Sequence, residues 1–412
     1  MRSSPPIVWL LVLLVVTVLI LQVIHLVIFS CLEMKKTGKL KTFEKISQRR
    51  KKGHRLSYFR MDTRGSYQIY HSVSDETDNN RLPKDSVTMV THCSPHNMHY
   101  LPALVERWKG PISLAVFTSS EDFQATLSVI HSFSSCFTDI RNHVQFHLVL
   151  PMDTVDQIRS LNLTRRIKIP CKNLNSHIKT HIKTKNYALQ GVPYPNNLLR
   201  NVGQLAARTN FVLTVDIDLL PSSLLFSQTL QFLKYESLTQ SYKTTAYILP
   251  VFELEDGKPV PKDKPEILDA ISDGTVRQFY TEICYRCHSP TDYESWIKTK
   301  SAVDSLHVAY AVEYMPLFEP FFIVHKSAPL YDERFKQYGY NRISNTCELY
   351  MAGFTFVVMD SGFLVHQGYK RKETFHTSKD KENAANRELF SQIVDELHVK
   401  YPESVGSCRN QM

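Results

Sequence analysis

From Asp85 onward, strand-like and helix-like segments alternate, and that alternation limits what the chain can fold into. Ser86–Thr91 (SVTMVT) and Ile112–Thr118 (ISLAVFT) read as strands. Phe123–Phe133 has helical spacing, and HVQFHLVLP (His143–Pro151) alternates apolar and polar residues before stopping on proline. NNLLRNVGQLAA (Asn196–Ala207) reads as a helix with Leu198, Leu199, Val202 and Leu205 on one face. The strand FVLTVDID follows, then a helix through LLFSQTLQFLKY capped by Ser222 or Ser223. TAYILPVFEL (Thr245–Leu254) and a closing pair, FTFVVM and GFLVH, complete the pattern. Such order predicts an α/β fold, a mixed but mostly parallel central sheet with helices on both faces. With 43% aliphatic and aromatic residues, a sizeable core is available.

The remaining N-terminal sequence differs. Ile7–Phe29 contains no formal charge over 23 residues. At about 1.5 Å rise per residue a helix of that length crosses a bilayer core of roughly 30 Å. A cleaved signal peptide would have a shorter apolar region and a small-residue cleavage site. The reading is a short tail (1–6), a membrane anchor (7–29), a polar stem (30–84) and a folded domain (85–405). The segment Lys35–Arg60 holds 11 Lys/Arg against one acid, Glu44, and accounts for the chain's net charge of +9. The folded part is near neutral, which argues against a nucleic-acid-binding face. Positive charge after the anchor would place the large domain in the cytosol. The sequon at Asn162 and seven cysteines in the folded part, enough for several disulfides and an odd thiol, point instead to a lumenal compartment.

Several chemistries are absent. There is no P-loop, no GxGxxG and no HExxH. Cys284-Tyr-Arg-Cys287 stands without a second pair, so a disulfide or local clamp is expected rather than a zinc site. The informative motif is FVLTVDIDLLPSS. In an extended chain Asp216 and Asp218 would project to one side while Ile217 enters the core. Two hard oxygen donors at the carboxyl end of a strand suit Mn²⁺ or Mg²⁺ carrying a diphosphate. The competing reading is a pair of turn or capping aspartates.

Blocks between Leu104 and Lys370 carry a resemblance: LVERWKGPISLAVF, YPNNLLRNV, VDIDLLPS, CHSPTDYESW, YDERFKQYGYNRIS, CELYMAGFTFVV and GFLVHQGYK. In order and spacing they resemble glycosyltransferase family 49, nucleotide-sugar enzymes of the GT-A fold related to the LARGE transferases. The resemblance implies a single-pass type II Golgi membrane protein with its catalytic domain in the lumen, which overrides the charge-bias argument. It implies transfer of glucuronate from UDP-glucuronate to a xylose-terminated acceptor on the O-mannosyl glycan of α-dystroglycan. The β-1,4 bond would form with inversion, and a LARGE-type transferase would act next. A transferase for N-acetylglucosamine or xylose, or a catalytically silent partner of a related enzyme, is the alternative.

The same resemblance assigns roles. Asp216, Asp218 and His366 would hold the metal. Thr91, His92, Arg200, Asn201 and Asp216 would meet the donor, and Arg342 would clamp its carboxylate, since guanidinium pairs bidentately with carboxylate. Many inverting relatives carry a Glu-Asp pair before a glycine; counting back from Gly353, those positions hold Asn341 and Arg342. Asp332, Glu333 or Glu348 would then supply the base, the first two preferred. Trp296, Tyr338 and Tyr340 would stack on acceptor sugars, with core packing as the other reading.

Overall fold

Val87–Cys93 is buried at every position, so a strand there must be paired on both edges and covered on both faces. The computed structural model provides that. It describes residues 22, 60–73, 83–152, 167–184, 192–236, 241–374, 377–404 and 406–409. The expected membrane anchor, apart from residue 22, and the sequon at Asn162 lie outside these residues. Among the described residues no helix is long and apolar enough to cross a membrane.

The strands are β1 (Arg60–Met61), β2 (Tyr67–Tyr70), β3 (Val87–Cys93), β4 (Ile112–Phe117), β5 (Val144–Pro151), β6 (Phe211–Thr214) and β7 (Leu219–Pro221). After them come β8 (Thr245–Leu249), β9 (Val251–Leu254), β10 (Val276–Gln278), β11 (Val308–Val312), β12 (Phe321–His325), β13 (Thr355–Met359) and β14 (Leu364–Gln367). They form a ten-stranded sheet in the order β1-β2-β5-β4-β3-β6-β12-β8-β13-β11 and a four-stranded sheet in the order β10-β9-β14-β7. β3, β4, β5 and β6 run parallel, with Met89 opposite Ile112 and Val87 opposite Phe211. β12 is antiparallel to both β6 and β8. The fold is therefore mixed α/β, as expected, but the large sheet is not mostly parallel: β1-β2, β2-β5, β6-β12, β12-β8 and β13-β11 all pair antiparallel.

Two differences from the sequence reading matter. First, β2 pairs with β5 although it lies in the stretch read as stem, so the sheet begins before Asp85. Tyr58–Met412 is one unit. Second, two apparently continuous strand regions are broken and the closing pair is split. The chain steps from the large sheet to the small one between β6 and β7, between β8 and β9 at Pro250, and between β13 and β14. Proline lacks the N–H that a continuing ladder needs, which explains the break at Pro250. The expected closing pair of strands thus divides between two sheets.

The Asn196–Ala206 helix buries Leu198, Leu199 and Val202 against Ala115, Phe117 and Val149. Leu205, expected on that face, is 56% exposed. The helix sits close to β3: a Cβ on Gly203 would come within 2.6 Å of Val90 Cγ1. Among the described residues three disulfides, Cys136–Cys171, Cys284–Cys287 and Cys347–Cys408, leave Cys93 as a buried thiol. The CxxC pair is the local clamp expected of it.

Candidate active site

The two aspartates occupy the step between sheets. β6 ends at Thr214, and Leu219 N–H donates to Asp216 O at 3.1 Å, closing a turn across Ile217 and Asp218. The extended-strand argument is corrected: a turn, rather than a strand pleat, presents both residues to one open cleft. That cleft is also lined by His92, Tyr100, Tyr194, Tyr280, Gln337, Tyr338 and Lys370. It opens at the carboxyl end of β3, where α/β sheets receive ligands.

Asp216 is held by guanidinium groups. Its Oδ1 accepts from Arg342 Nη2 at 3.0 Å and lies 3.4 Å from Arg200 Nη2 and 4.0 Å from His92 Nε2. Burial pushes the Asp216 carboxyl up, but Arg342, Arg200 and His92 together bring it below the usual range. Both arginines are pinned elsewhere. Arg342 Nη1 donates to Thr214 O, and its guanidinium lies 4.0 Å from the Phe321 ring centroid. Arg200 Nη1 donates to Asn197 Oδ1 and Asn341 Oδ1. Arg342 is 1% exposed. It therefore cannot reach out to clamp a donor carboxylate, and that expectation is replaced by a role as countercharge beneath Asp216.

Asp218 has different partners. Its Oδ2 lies 3.2 Å from His366 Nε2 and accepts from Lys370 Nζ at 3.2 Å. Burial pushes this carboxyl up too, but the His366 hydrogen bond and the Lys370 charge outweigh it and hold the group well below the usual carboxylate range. His366 Nδ1 sits 2.7 Å from Gly368 O. A carbonyl only accepts, so Nδ1 carries the hydrogen and Nε2 is the nitrogen left to bind a proton or a cation. One carboxylate and one imidazole with that tautomer fit a divalent ion. Among the described residues no group of three or more His, Cys, Asp or Glu side chains forms a metal cage. The expected trio is brought together only in part: Asp218 and His366 meet, while Asp216 is bound to arginines through Oδ1.

Other expected residues separate clearly. His92 lines the cleft; burial and the charge of Arg200 lower its pKa to about 3, so it is neutral at pH 7. Thr91 is fully buried and does not line the cleft. Asn201 is structural: it bonds Tyr331 O, Tyr331 N and Glu333 Oε1 rather than a donor. Asp332 is occupied by Arg334, which also binds Glu396. Glu333 is held by Asn201, and Glu348 binds Lys400 and Tyr401. None of these three acids lines the cleft. Trp296 is fully buried, with Nε1 donating to Met359 O, so the core-packing reading holds for it. Tyr340 packs on Phe390, whereas Tyr338 does line the cleft.

The cleft wall carries backbone strain. Tyr280, Gln337 and Tyr340 have φ of 58°, 60° and 57°, the left-handed region that side chains rarely adopt. The 337–340 loop is held because Gln337 N donates to Tyr194 O at 2.9 Å. Gly339, at φ +95°, packs so closely that a Cβ would overlap Asn383. The Tyr280 loop is pinned by fully buried Glu253, which accepts from Tyr280 N and pairs with Arg277 at 2.8 Å. Arg277 also donates to Lys370 O, tying the loop to the lysine that serves Asp218. Sequence reasoning missed Lys370 and Tyr280. Lys370 lies four residues after His366 inside GFLVHQGYK, and that spacing could have pointed to it; Tyr280 left no comparable signal.

Comparison with known proteins gives the family. The family described as "Glycosyl-transferase for dystroglycan" matches residues 86–402. A Danio rerio protein named beta-1,4-glucuronyltransferase 1 is 37% identical over 84% of this chain and 83% of its own length. A Gallus gallus xylosyl- and glucuronyltransferase LARGE2s is 27% identical over 78% of this chain but only 37% of its own. The crystal structure of GalNAc-T7 with UDP, GalNAc and Mn²⁺ overlays with a TM-score of 0.39 at 10% identity, covering 76% of this chain and 48% of that one. That overlay is too loose to bear on the site. The chain belongs to the dystroglycan glycosyltransferase family, and it is a glycosyltransferase.

Proposed function

We propose that this family member transfers glucuronate from UDP-glucuronate to a xylose-terminated glycan, forming a β-1,4 bond with inversion on a GT-A scaffold. The observation that carries the reading is the Asp218–His366–Lys370 cluster at the mouth of the sheet switch. Around the two aspartates stand three permanent cations, Arg200, Arg342 and Lys370. Lys370 is the cation that lines the cleft, and its ammonium suits an anionic ligand such as a nucleotide diphosphate.

Asp218 and His366 would hold Mn²⁺, or Mg²⁺, with the remaining ligands from diphosphate and solvent. When bound, such an ion neutralises charge on the departing UDP. Lys370 is the permanent cation among the described lining residues and meets the same diphosphate. Arg342 and Arg200 fix Asp216 through Oδ1, leaving its 40% exposed side chain to face the nucleotide with the other oxygen. His92 donates or accepts as a neutral ring. Tyr280 and Tyr338 form the wall against which an acceptor sugar stacks, and the tight 337–340 loop keeps that wall in place.

Relatives named beta-1,4-glucuronyltransferase 1 support glucuronate as the sugar. Three disulfides support an oxidising compartment, consistent with a Golgi membrane protein whose catalytic domain is lumenal and whose product a LARGE-type transferase extends. The full-length protein with manganese, a β-xyloside and UDP-glucuronate, UDP-N-acetylglucosamine or UDP-xylose tests this. Turnover with UDP-glucuronate alone is expected. Turnover with another donor changes the sugar, and none with any donor makes the chain a silent partner.

A further inference from the structure

With Asp332, Glu333 and Glu348 engaged elsewhere, the acid that deprotonates the acceptor must come from another part of the fold. Asp216 and Asp218 each face cations. One more carboxylate stands beside this site, behind the lining residues on the segment leading into β12, and shares Arg342 with Asp216. Glu319 Oε1 is 3.9 Å from Arg342 Nε, an ion-pair distance without a hydrogen bond. The side chain is 22% exposed, so solvent reaches it. Its backbone is fixed, because Glu319 N donates to Cys287 O at 2.8 Å beside the Cys284–Cys287 disulfide. Its charge acts on Tyr280 and Tyr338, the two cleft-wall tyrosines. A carboxylate mostly withdrawn from water without a strong donor is poised to accept one, and an acceptor-sugar hydroxyl provides it.

We propose that Glu319 is the general base of the reaction, an assignment that rests on the transferase reading of the cleft. As the acceptor oxygen bonds to the anomeric carbon, its proton passes to Glu319. The electron pair of the breaking carbon–phosphate-oxygen bond leaves with UDP. The charged and titratable groups facing Glu319 are Arg342, Arg200, Asp216, Tyr280 and Tyr338. Burial raises the Glu319 carboxyl to about 7, Arg342 and Arg200 oppose the rise, and Asp216 adds to it. A base with that value operates near neutral pH.

The test measures kcat against pH for the full-length protein with saturating UDP-glucuronate and a β-xyloside. The wild type is expected to gain rate tenfold per pH unit below about 7 and then level off. Glu319→Gln is expected to lower kcat by about 10²–10⁴-fold and to lose that acidic limb, with affinity for UDP unchanged. Azide, a nucleophile with no proton to lose, should restore UDP release in Glu319→Gln by forming the glycosyl azide. A Glu319→Gln kcat near wild type, or a low kcat that keeps the acidic limb and ignores azide, overturns the assignment. A wild type that transfers no sugar refutes the transferase reading and the base with it. Should Glu319→Gln not fold, Glu319→Asp decides: a reduced rate with a displaced acidic limb supports the base, and an unchanged rate and profile overturns it.

Discussion

Asp216 and Asp218 share one turn and face one cleft, yet their surroundings are opposite. Asp216 rests on two guanidiniums, each tied through Nη1 to backbone or asparagine groups. Asp218 meets an imidazole and a flexible ammonium. The first arrangement is rigid and internally balanced through Oδ1. The second can exchange its partners for a metal ion and a diphosphate. A two-residue motif can therefore combine a structural anchor with a chemical ligand, and the neighbours of each carboxylate decide which it becomes.

Substitutions should separate the two. The largest effect is expected from Asp218→Asn, a loss of transfer of roughly 10³-fold or more, because several kcal/mol of charge stabilisation disappear; activity measurements check it. Asp216→Ala should unbalance two buried arginines and cost about 2–3 kcal/mol of stability, below the roughly 3–5 of a fully buried pair because Asp216 is 40% exposed. Chemical denaturation reads this, and wild-type stability in Asp216→Ala would contradict it. Lys370→Met should weaken UDP binding about tenfold, roughly 1.4 kcal/mol, and leave stability unchanged; calorimetry measures it.

The remaining effect is in acid. Burial lowers the pKa of His92 and His288 to about 3, and burial with a neighbouring His71 lowers that of His147. These rings bind protons only after unfolding, so stability is full above about 6.5 and falls as pH drops toward the folded values. Each contributes up to about 1.4 kcal/mol per pH unit in that window, with Glu319 opposing because its folded value is raised. Denaturation midpoints between pH 7 and 5 should fall accordingly. His92→Gln should remove one proton's share of that slope, which would link the acid response to the Asp216 side of the turn.

Much of this was legible in the sequence because apolar periodicity and strand-end position depend on local residue types. The strands around Val90, Leu114 and Leu213 were readable in that way, whereas the link from Asp218 to His366 came from the family resemblance. The unread parts depend on long-range placement. Nothing local to FVLTVDID says that the strand stops at Thr214 and turns into a second sheet. Arg342 looked like a substrate clamp because its burial under Asp216 comes from the packing of a helix over 120 residues away. Trp296 looked like a sugar platform for the same reason: only the fold shows it beneath Phe252 and Phe363. Glu319 had no motif around it, and its significance comes from what the fold places beside it.

Calorimetric binding of UDP with and without Mn²⁺, in the wild type, Asp218→Asn and Asp216→Asn, tests the central claim most directly. The account predicts that Mn²⁺ strengthens binding at least tenfold in the wild type and in folded Asp216→Asn, and not in Asp218→Asn. Retention of the Mn²⁺ effect in Asp218→Asn together with its loss in Asp216→Asn would contradict it.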